Sequence, residues 1–296
     1  QFDAKTGFLC KYVVNGVSYL AEGATMTPNF WRAPTDNDMG AGQQTRFREW
    51  LNPTINLISL DDTKNAMGKR VVTAKYDMPS VEAELTLTYT ICPHSGSITV
   101  SEKFDVKGKG AEAKPARRRR PEPGDGKVDE EKLHSPMFRF GMQLPMPEQF
   151  EKLAYYGRGP IESYADRKDS QFIGIYNSTV TDEFYPYIRP QENGNHVDLR
   201  WMTLTTATGK SLQIVSQSQP TFSGSALHYT QESLDEGPQK INRHSPDVDP
   251  AHLTNVCIDL KQMGLACENS WGAWPLPEYM IPYQNYEFSF KLMPKL

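Results

Sequence analysis

Four short stretches gather the carboxylate, amide, guanidinium and aromatic side chains that could do chemistry here. The first is Asn29-Phe30-Trp31-Arg32-Ala33-Pro34-Thr35-Asp36-Asn37-Asp38. Arg32 can fork onto a carboxylate, and the Asp36, Asn37 and Asp38 side chains can close turns onto nearby backbone N–H groups. No helical pattern fits the stretch, and strand alternation stops at Pro34, so it reads as an ordered loop held by its own polar groups. The second runs from Gly157 to Arg167 and carries Arg158, Glu162, Tyr164, Asp166 and Arg167, a set suited to an arginine–carboxylate network that braces a loop. Pro190-Gln191-Glu192-Asn193-Gly194 reads as a turn without chemistry of its own. The fourth is Asn269-Ser270-Trp271-Gly272; on spacing alone, Trp271 is a core tryptophan, one of five in the chain.

Other chemistries find no support. The six histidines form no H-E-x-x-H or other one-face ligand pair, so no metal is expected. There is no G-x-S-x-G elbow, Walker loop or G-x-G-x-x-G, and Gly157-Arg158-Gly159-Pro160 breaks the last pattern at its proline; no cofactor is expected. The cysteines, Cys10, Cys92, Cys257 and Cys267, lack zinc spacing and a disulfide framework, and a Cys257–Cys267 pairing stays open. A net charge of -4 is too mild to steer a polyanion. Arg117 to Arg120 invite a nucleic-acid reading, but an acidic run follows closely and no aromatics interleave. Residues 107–132 are therefore expected to be a charged, flexible loop insertion, and no nucleic acid is expected. No apolar run approaches the roughly 20 residues that cross a bilayer, so no membrane partner is expected. The start, Gln1 to Gly7, has neither an initiator Met nor a signal-peptide pattern, which reads as a fragment or processed product; no compartment is assigned.

The elements that must position these stretches are strands. Gly7 to Val17 reads as a hairpin turning at Asn15-Gly16. Arg46 to Leu51 reads as a short helix. Across Val81 to Ile91, Ala83, Leu85, Leu87, Tyr89 and Ile91 alternate with polar residues, and Ile98, Val100, Phe104 and Val106 alternate on the return, an antiparallel hairpin. Phe138 to Leu144, ending before Pro145, then Leu199 to Thr205, Leu212 to Val215, Val256 to Leu260 and Tyr286 to Leu292 alternate likewise. Many strands and almost no long helical periodicity, with no internal repeat or domain linker, predict a large all-β sandwich spanning residues 1–296 as a single domain.

Asn29 to Asp38 resembles the signature that opens the C-terminal domain of the large β-galactosidases of glycoside hydrolase family 2. The resemblance continues in order at Gly157 to Arg167, Pro190 to Gly194 and Ser270-Trp271-Gly272. It departs at Ser163, where the family commonly shows Asn. The resemblance implies an antiparallel super-sandwich of the galactose mutarotase type. It also implies a parent enzyme that hydrolyses terminal β-galactosides with retention, which needs two carboxyls roughly 5 Å apart. The family carries both catalytic glutamates on a separate barrel, so no catalytic residue is assigned here and the fragment alone is expected to be inactive.

What the family places in this region is the tryptophan matched by Trp271, whose indole face stacks on the C–H face of the sugar. Asn269 and Ser270 would hold its loop. Trp31, Arg32, Asp36, Asn37, Asp38, Arg158, Glu162, Tyr164, Asp166 and Arg167 would be structural or interface residues facing the barrel. The implied partners are the galactoside, through the parent enzyme, and the barrel and other domains. Two alternatives stand beside this. The chain could be a small subunit that binds a separate catalytic chain, or an independent aldose mutarotase, for which His196 and Glu192 would have to converge.

Overall fold

A computed structural model describes residues 1–110, 133–266, 268–269 and 272–295. Strands dominate it. In chain order they are β1 (Val13–Val14), β2 (Val17–Ser18), β3 (Thr27–Asn29), β4 (Asn56–Lys64), β5 (Arg70–Met78), β6 (Ala83–Ile91), β7 (Ile98–Val106), β8 (Lys109–Gly110) and β9 (Leu133–His134). Then follow β10 (Arg139–Pro147), β11 (Lys152–Gly159), β12 (Phe172–Thr179), β13 (His196–Leu199), β14 (Trp201–Thr205), β15 (Ser211–Ser216), β16 (Phe222–Leu227), β17 (Leu253–Gln262) and β18 (Tyr286–Lys295). Nine form one antiparallel sheet in the order β12-β11-β14-β15-β18-β7-β6-β5-β4, and five form another in the order β13-β16-β17-β10-β3. The all-β architecture read from the sequence is present.

Period-two burial explains the nine-stranded sheet. Val72, Ala74 and Tyr76 of β5, Leu85, Leu87 and Tyr89 of β6, and Phe288, Phe290 and Leu292 of β18 turn inward, and polar neighbours turn out. The β6–β7 hairpin has the expected register, closing at Ile91 opposite Ile98. The five-stranded sheet is buried on both faces, as the unbroken burial of β16 shows. Phe140, Met142, Leu144 and Met146 of β10 enter the shared hydrophobic core, where Phe140 meets Phe104 of β7 at 6.2 Å and Tyr286 of β18 at 5.2 Å between ring centres. The other face carries Arg139, Cys257 and Asp259, covered by the loops of the polar motifs.

One inward slot is polar. Glu102 of β7 is fully buried and neither carboxylate oxygen has a hydrogen-bond partner. Burial, with the charge of Asp259 adding to it, pushes its pKa well above the ordinary range.

Several local readings are corrected. Asp36–Gly40 is a helix, α1, and not an irregular loop. Thr35 Oγ1 accepts from the Asp38 N–H while Asp38 accepts from the Thr35 N–H, a capping box that starts a helix too short to show periodicity. The helix expected over Arg46 to Leu51 is split into α2 (Gln43–Arg46) and a 3-10 turn, Arg48–Trp50, that buries Trp50. β10 runs through Pro145, whose carbonyl accepts from the Ala21 N–H. The strand expected over Leu199 to Thr205 breaks at Arg200, where the chain passes from the five-stranded to the nine-stranded sheet. The hairpin at Asn15-Gly16 is present, and both residues have the positive φ that its turn demands. β11, β12 and β16 carry no alternation strong enough to be read. Cys10, Cys92 and Cys257 are free thiols, while Cys267 and residues 111–132 lie outside the described residues.

Candidate functional site

The polar motifs converge on one short piece of backbone, residues 263–266, which follows β17. Arg32 is fully buried and reaches it first. Its Nη1 donates to the Met263 carbonyl at 2.6 Å and its Nη2 to the Gly264 carbonyl at 3.0 Å. The rest of the guanidinium forks onto Asp38, Nε to Oδ2 at 3.0 Å and Nη2 to Oδ1 at 2.7 Å, and its flat face lies over the Phe138 ring. The α1 capping box fixes Asp38, so a local sequence feature aims an arginine at a loop segment some 230 residues away in sequence.

Two more side chains grip the next residues. Asn37 Nδ2 donates to the Leu265 carbonyl at 2.8 Å and the Ala266 carbonyl at 3.2 Å. Asp166 answers from the other side: its Oδ1 accepts from the Leu265 N–H and its Oδ2 from the Ala266 N–H, both at 2.8 Å. Four peptide units are thereby tied down by three side chains, a rigid stem for the chain that leads on to residues 268–269. Asn269 Oδ1 accepts from the Ala273 N–H at 3.2 Å. Ser270 and Trp271 lie outside the described residues.

A second layer holds the clamp. Asp36 accepts from Arg189 Nε at 3.0 Å, Lys240 Nζ at 2.8 Å and Gln191 Nε2 at 3.2 Å. Burial alone would raise its pKa, but these hydrogen bonds and the Arg189 charge overcome that and hold it at about 2. Glu162 takes the Gly194 N–H at 2.8 Å, Arg167 Nη1 at 2.9 Å and the Tyr187 hydroxyl. Arg158 Nε donates to Asp198 at 2.5 Å and its Nη1 to the Gln171 carbonyl at 2.9 Å. Tyr164 is buried beside Glu162, and burial raises its hydroxyl well above the ordinary range. Ser163 is fully buried, and its hydroxyl accepts from the Val197 N–H at 3.1 Å. Asp36, Asn37, Glu162, Arg167, Tyr187 and Leu265 line a cleft of about 150 Å³ where these layers reach the surface.

Trp31 stands apart from the cleft. It is a core residue, its edge against Phe138 and its Nε1 donating to Asp235 at 2.9 Å.

Sequence reading missed a buried charge cluster beneath the clamp. Arg139 pairs with Glu192 at 3.0 Å and stands 3.7 Å from Asp259, all three within a few per cent of full burial. Burial would lower the Arg139 pKa, but the two carboxylates raise it above its ordinary value. The Asp259 carboxyl is pushed up to about 7 by burial, against the pull of Arg139 and with Glu192 adding to the rise. Pro190 to Gly194 is thus more than a turn. Gln191 binds Asp36, Glu192 binds Arg139 and Asn193 accepts from the Tyr185 N–H. His196 and Glu192 do not pair: His196 bonds Glu183 at 2.5 Å and is fully buried. Among the described residues no group of three or more His, Cys, Asp or Glu could hold a metal ion, and no helix is long and apolar enough to cross a membrane.

Fold and site define an antiparallel β-sandwich whose polar motifs are devoted to holding loops against one face. Residues 1–292 match the family described as beta-galactosidase small chain, and the chain belongs to that family. Among curated relatives, a beta-galactosidase of Priestia megaterium is 29% identical over 295 residues, covering 99% of this chain and 25% of its own length. One from Lactobacillus delbrueckii subsp. bulgaricus is 32% identical, covering 86% of this chain and 22% of its own. The chain thus spans about a quarter of the curated relatives it matches. A galactose mutarotase related enzyme from Lactobacillus acidophilus aligns over 95% of this chain and 88% of its own at 9% identity, with a TM-score of 0.41.

Proposed function

We propose that this chain is the C-terminal sandwich of a retaining β-galactosidase. In that role it covers one side of the mouth of a catalytic barrel carried elsewhere and presents Trp271 to the sugar. The observation that supports this best is the clamp on residues 263–266. Arg32, Asn37 and Asp166 come from two separate motifs, yet all three bond the backbone of residues 263–266, which precedes Asn269, Ser270 and Trp271 in the chain. A loop that must meet a sugar face within a fraction of an ångström gains from such a stem, because positioning rather than mere presence determines its contribution.

The state of the carboxylates fits a supporting role. Asp38 is engaged by Arg32, Asp36 by Arg189, Asp166 by backbone N–H groups and Glu192 by Arg139. Glu162 is engaged by Gly194 and Arg167. A general acid or base needs a carboxyl free to exchange a proton with substrate. The family's description as a small chain favours a second arrangement of the same role, in which the sandwich is a separate subunit bound to a catalytic chain.

Hydrolysis of a chromogenic β-galactoside tests the reading with three samples: this chain alone, the assembled enzyme, and the assembled enzyme with Trp271→Ala. A silent chain, an active enzyme and a variant with weakened substrate binding or turnover are expected. Activity in the purified chain, or an unaffected variant, would overturn it.

A further inference from the structure

The two edges of the nine-stranded sheet are built on opposite principles. β4 ends the sheet on one side with a register shift between Leu57 and Ser59 and with exposed Asp61, Asp62 and Lys64. Bulges and charges are what natural sheets use to stop another chain from adding to an open edge. β12 ends the sheet on the other side and has neither device. Its sequence, Phe172-Ile173-Gly174-Ile175-Tyr176-Asn177-Ser178-Thr179, holds no charge, and its pairing with β11 runs without a register shift over eight residues. Among the described residues no strand pairs with its outer side.

Its side chains are equally unprotected. Phe172 is 78% exposed, Ile175 64% and Ile173 40%. Since neighbours on a strand point to opposite faces, apolar surface lies on both sides of this edge. It also runs off the strand: Ile161 and Tyr185, each 58% exposed, line a cleft of about 350 Å³ together with Ser178 of β12. That cleft shares Glu162, Arg167 and Tyr187 with the smaller cleft at the clamp.

We infer that the β12 edge, with Ile161 and Tyr185, is the surface on which the remainder of a β-galactosidase polypeptide docks. This rests on the function proposed above. The occupant follows from two facts. About three quarters of the length of each curated relative lies outside the matched region, so a large body of polypeptide is available to cover the edge. The patch is also continuous with the clamp that aims the loop toward the barrel.

Hydrogen exchange on the 296-residue chain alone and on the assembled enzyme tests the assignment, together with the double variant Phe172→Lys/Ile175→Lys, whose sites are exposed enough to leave folding intact. Amides of residues 172–179 are expected to exchange at least about tenfold more slowly in the assembled enzyme, and the variant to associate at least about tenfold more weakly. Unchanged exchange, with normal assembly of the variant, overturns the docking surface while leaving the proposed function standing. Self-association of the isolated chain that the variant abolishes overturns it in favour of a second copy. If the chain joins no β-galactosidase polypeptide at all, the proposed function falls and the docking surface with it.

Discussion

Gly264 and Asp166 approach so closely that no other residue fits between them. A methyl group on Gly264 would stand 2.4 Å from Asp166 Oδ2 and 2.6 Å from its carboxyl carbon. The carboxylate cannot swing aside, because both oxygens are held by the N–H groups of Leu265 and Ala266. Gly264→Ala should therefore destabilise the chain by about 1–3 kcal/mol, the usual cost of overpacking a fixed site. Urea denaturation measures it. Asp166→Ala removes the obstacle, so the double variant should lose less than the sum of the two single losses, a coupling that a mutant cycle reads directly.

Asp259 makes stability fall as pH rises. Its carboxyl titrates at about 7 in the folded chain against an ordinary value of 3.8, so the folded state keeps a proton that the unfolded state gives up. The stability this confers is complete below about pH 4 and is lost progressively as pH climbs through 7. Two carboxyls share one guanidinium here, and Glu192 has the closer contact with Arg139, 3.0 Å against 3.7 Å. Asp259→Asn should leave a neutral Arg139–Glu192 pair, raise stability at pH 8 by on the order of a few kcal/mol, and flatten the pH profile between 5 and 8. Urea midpoints at pH 5 and pH 8 compare the two; a variant less stable than the wild type at pH 8 would count against the assignment.

Asp36 works with the opposite sign. Its folded pKa is held at about 2, below the ordinary 3.8, so its contribution is present above pH 4 and is lost as pH falls through 2. The side chain is about two-fifths exposed, which lets solvent and salt screen the ion pairs to Arg189 and Lys240. Asp36→Asn should be less stable than the wild type at pH 6, by about 1 kcal/mol. The gap should narrow toward pH 2 and shrink in 1 M salt. Thermal melts across that grid decide it; a gap that widens in acid would remove Asp36 from the clamp's supports.

What could be read from the sequence follows the range of the interaction. The β6–β7 hairpin was legible because its alternation and turn lie within about 25 residues. That Arg32 can fork onto a carboxylate was legible from its stretch, but that Asp38, six residues away, is the partner came only from the structure. Arg139 and Glu192 are 53 positions apart, and Asp36 and Arg189 are 153 apart, so nothing local marks either pair. Glu102 failed for another reason. Its position in the alternation points inward while its chemistry points outward, and only the packed structure shows position prevailing, with burial raising the pKa of the acid. Helix α1 was hidden by its brevity: five residues make no periodic stripe, although Thr35 and Asp38 at capping-box spacing were the available signal.

Asp166 offers the sharpest separation of loop positioning from stability. Asp166→Asn keeps size and shape, but an amide offers only one acceptor oxygen where two backbone N–H groups, of Leu265 and Ala266, need one each. Arg32 still holds Met263 and Gly264, and Asn37 still holds the Leu265 and Ala266 carbonyls, so the sandwich itself keeps its core. The expected loss of stability is therefore modest, about 1–2 kcal/mol for one buried N–H left without its partner. The effect on the assembled enzyme should be larger in kind. If the stem orients the loop that carries Trp271, Asp166→Asn should reproduce the direction of Trp271→Ala, with a higher KM or lower kcat for a β-galactoside. Combining the two should then add little, since the second change acts through a side chain already gone. Steady-state kinetics on the single and double variants give the answer. Full additivity would mean that Asp166 holds the fold and does not aim the loop.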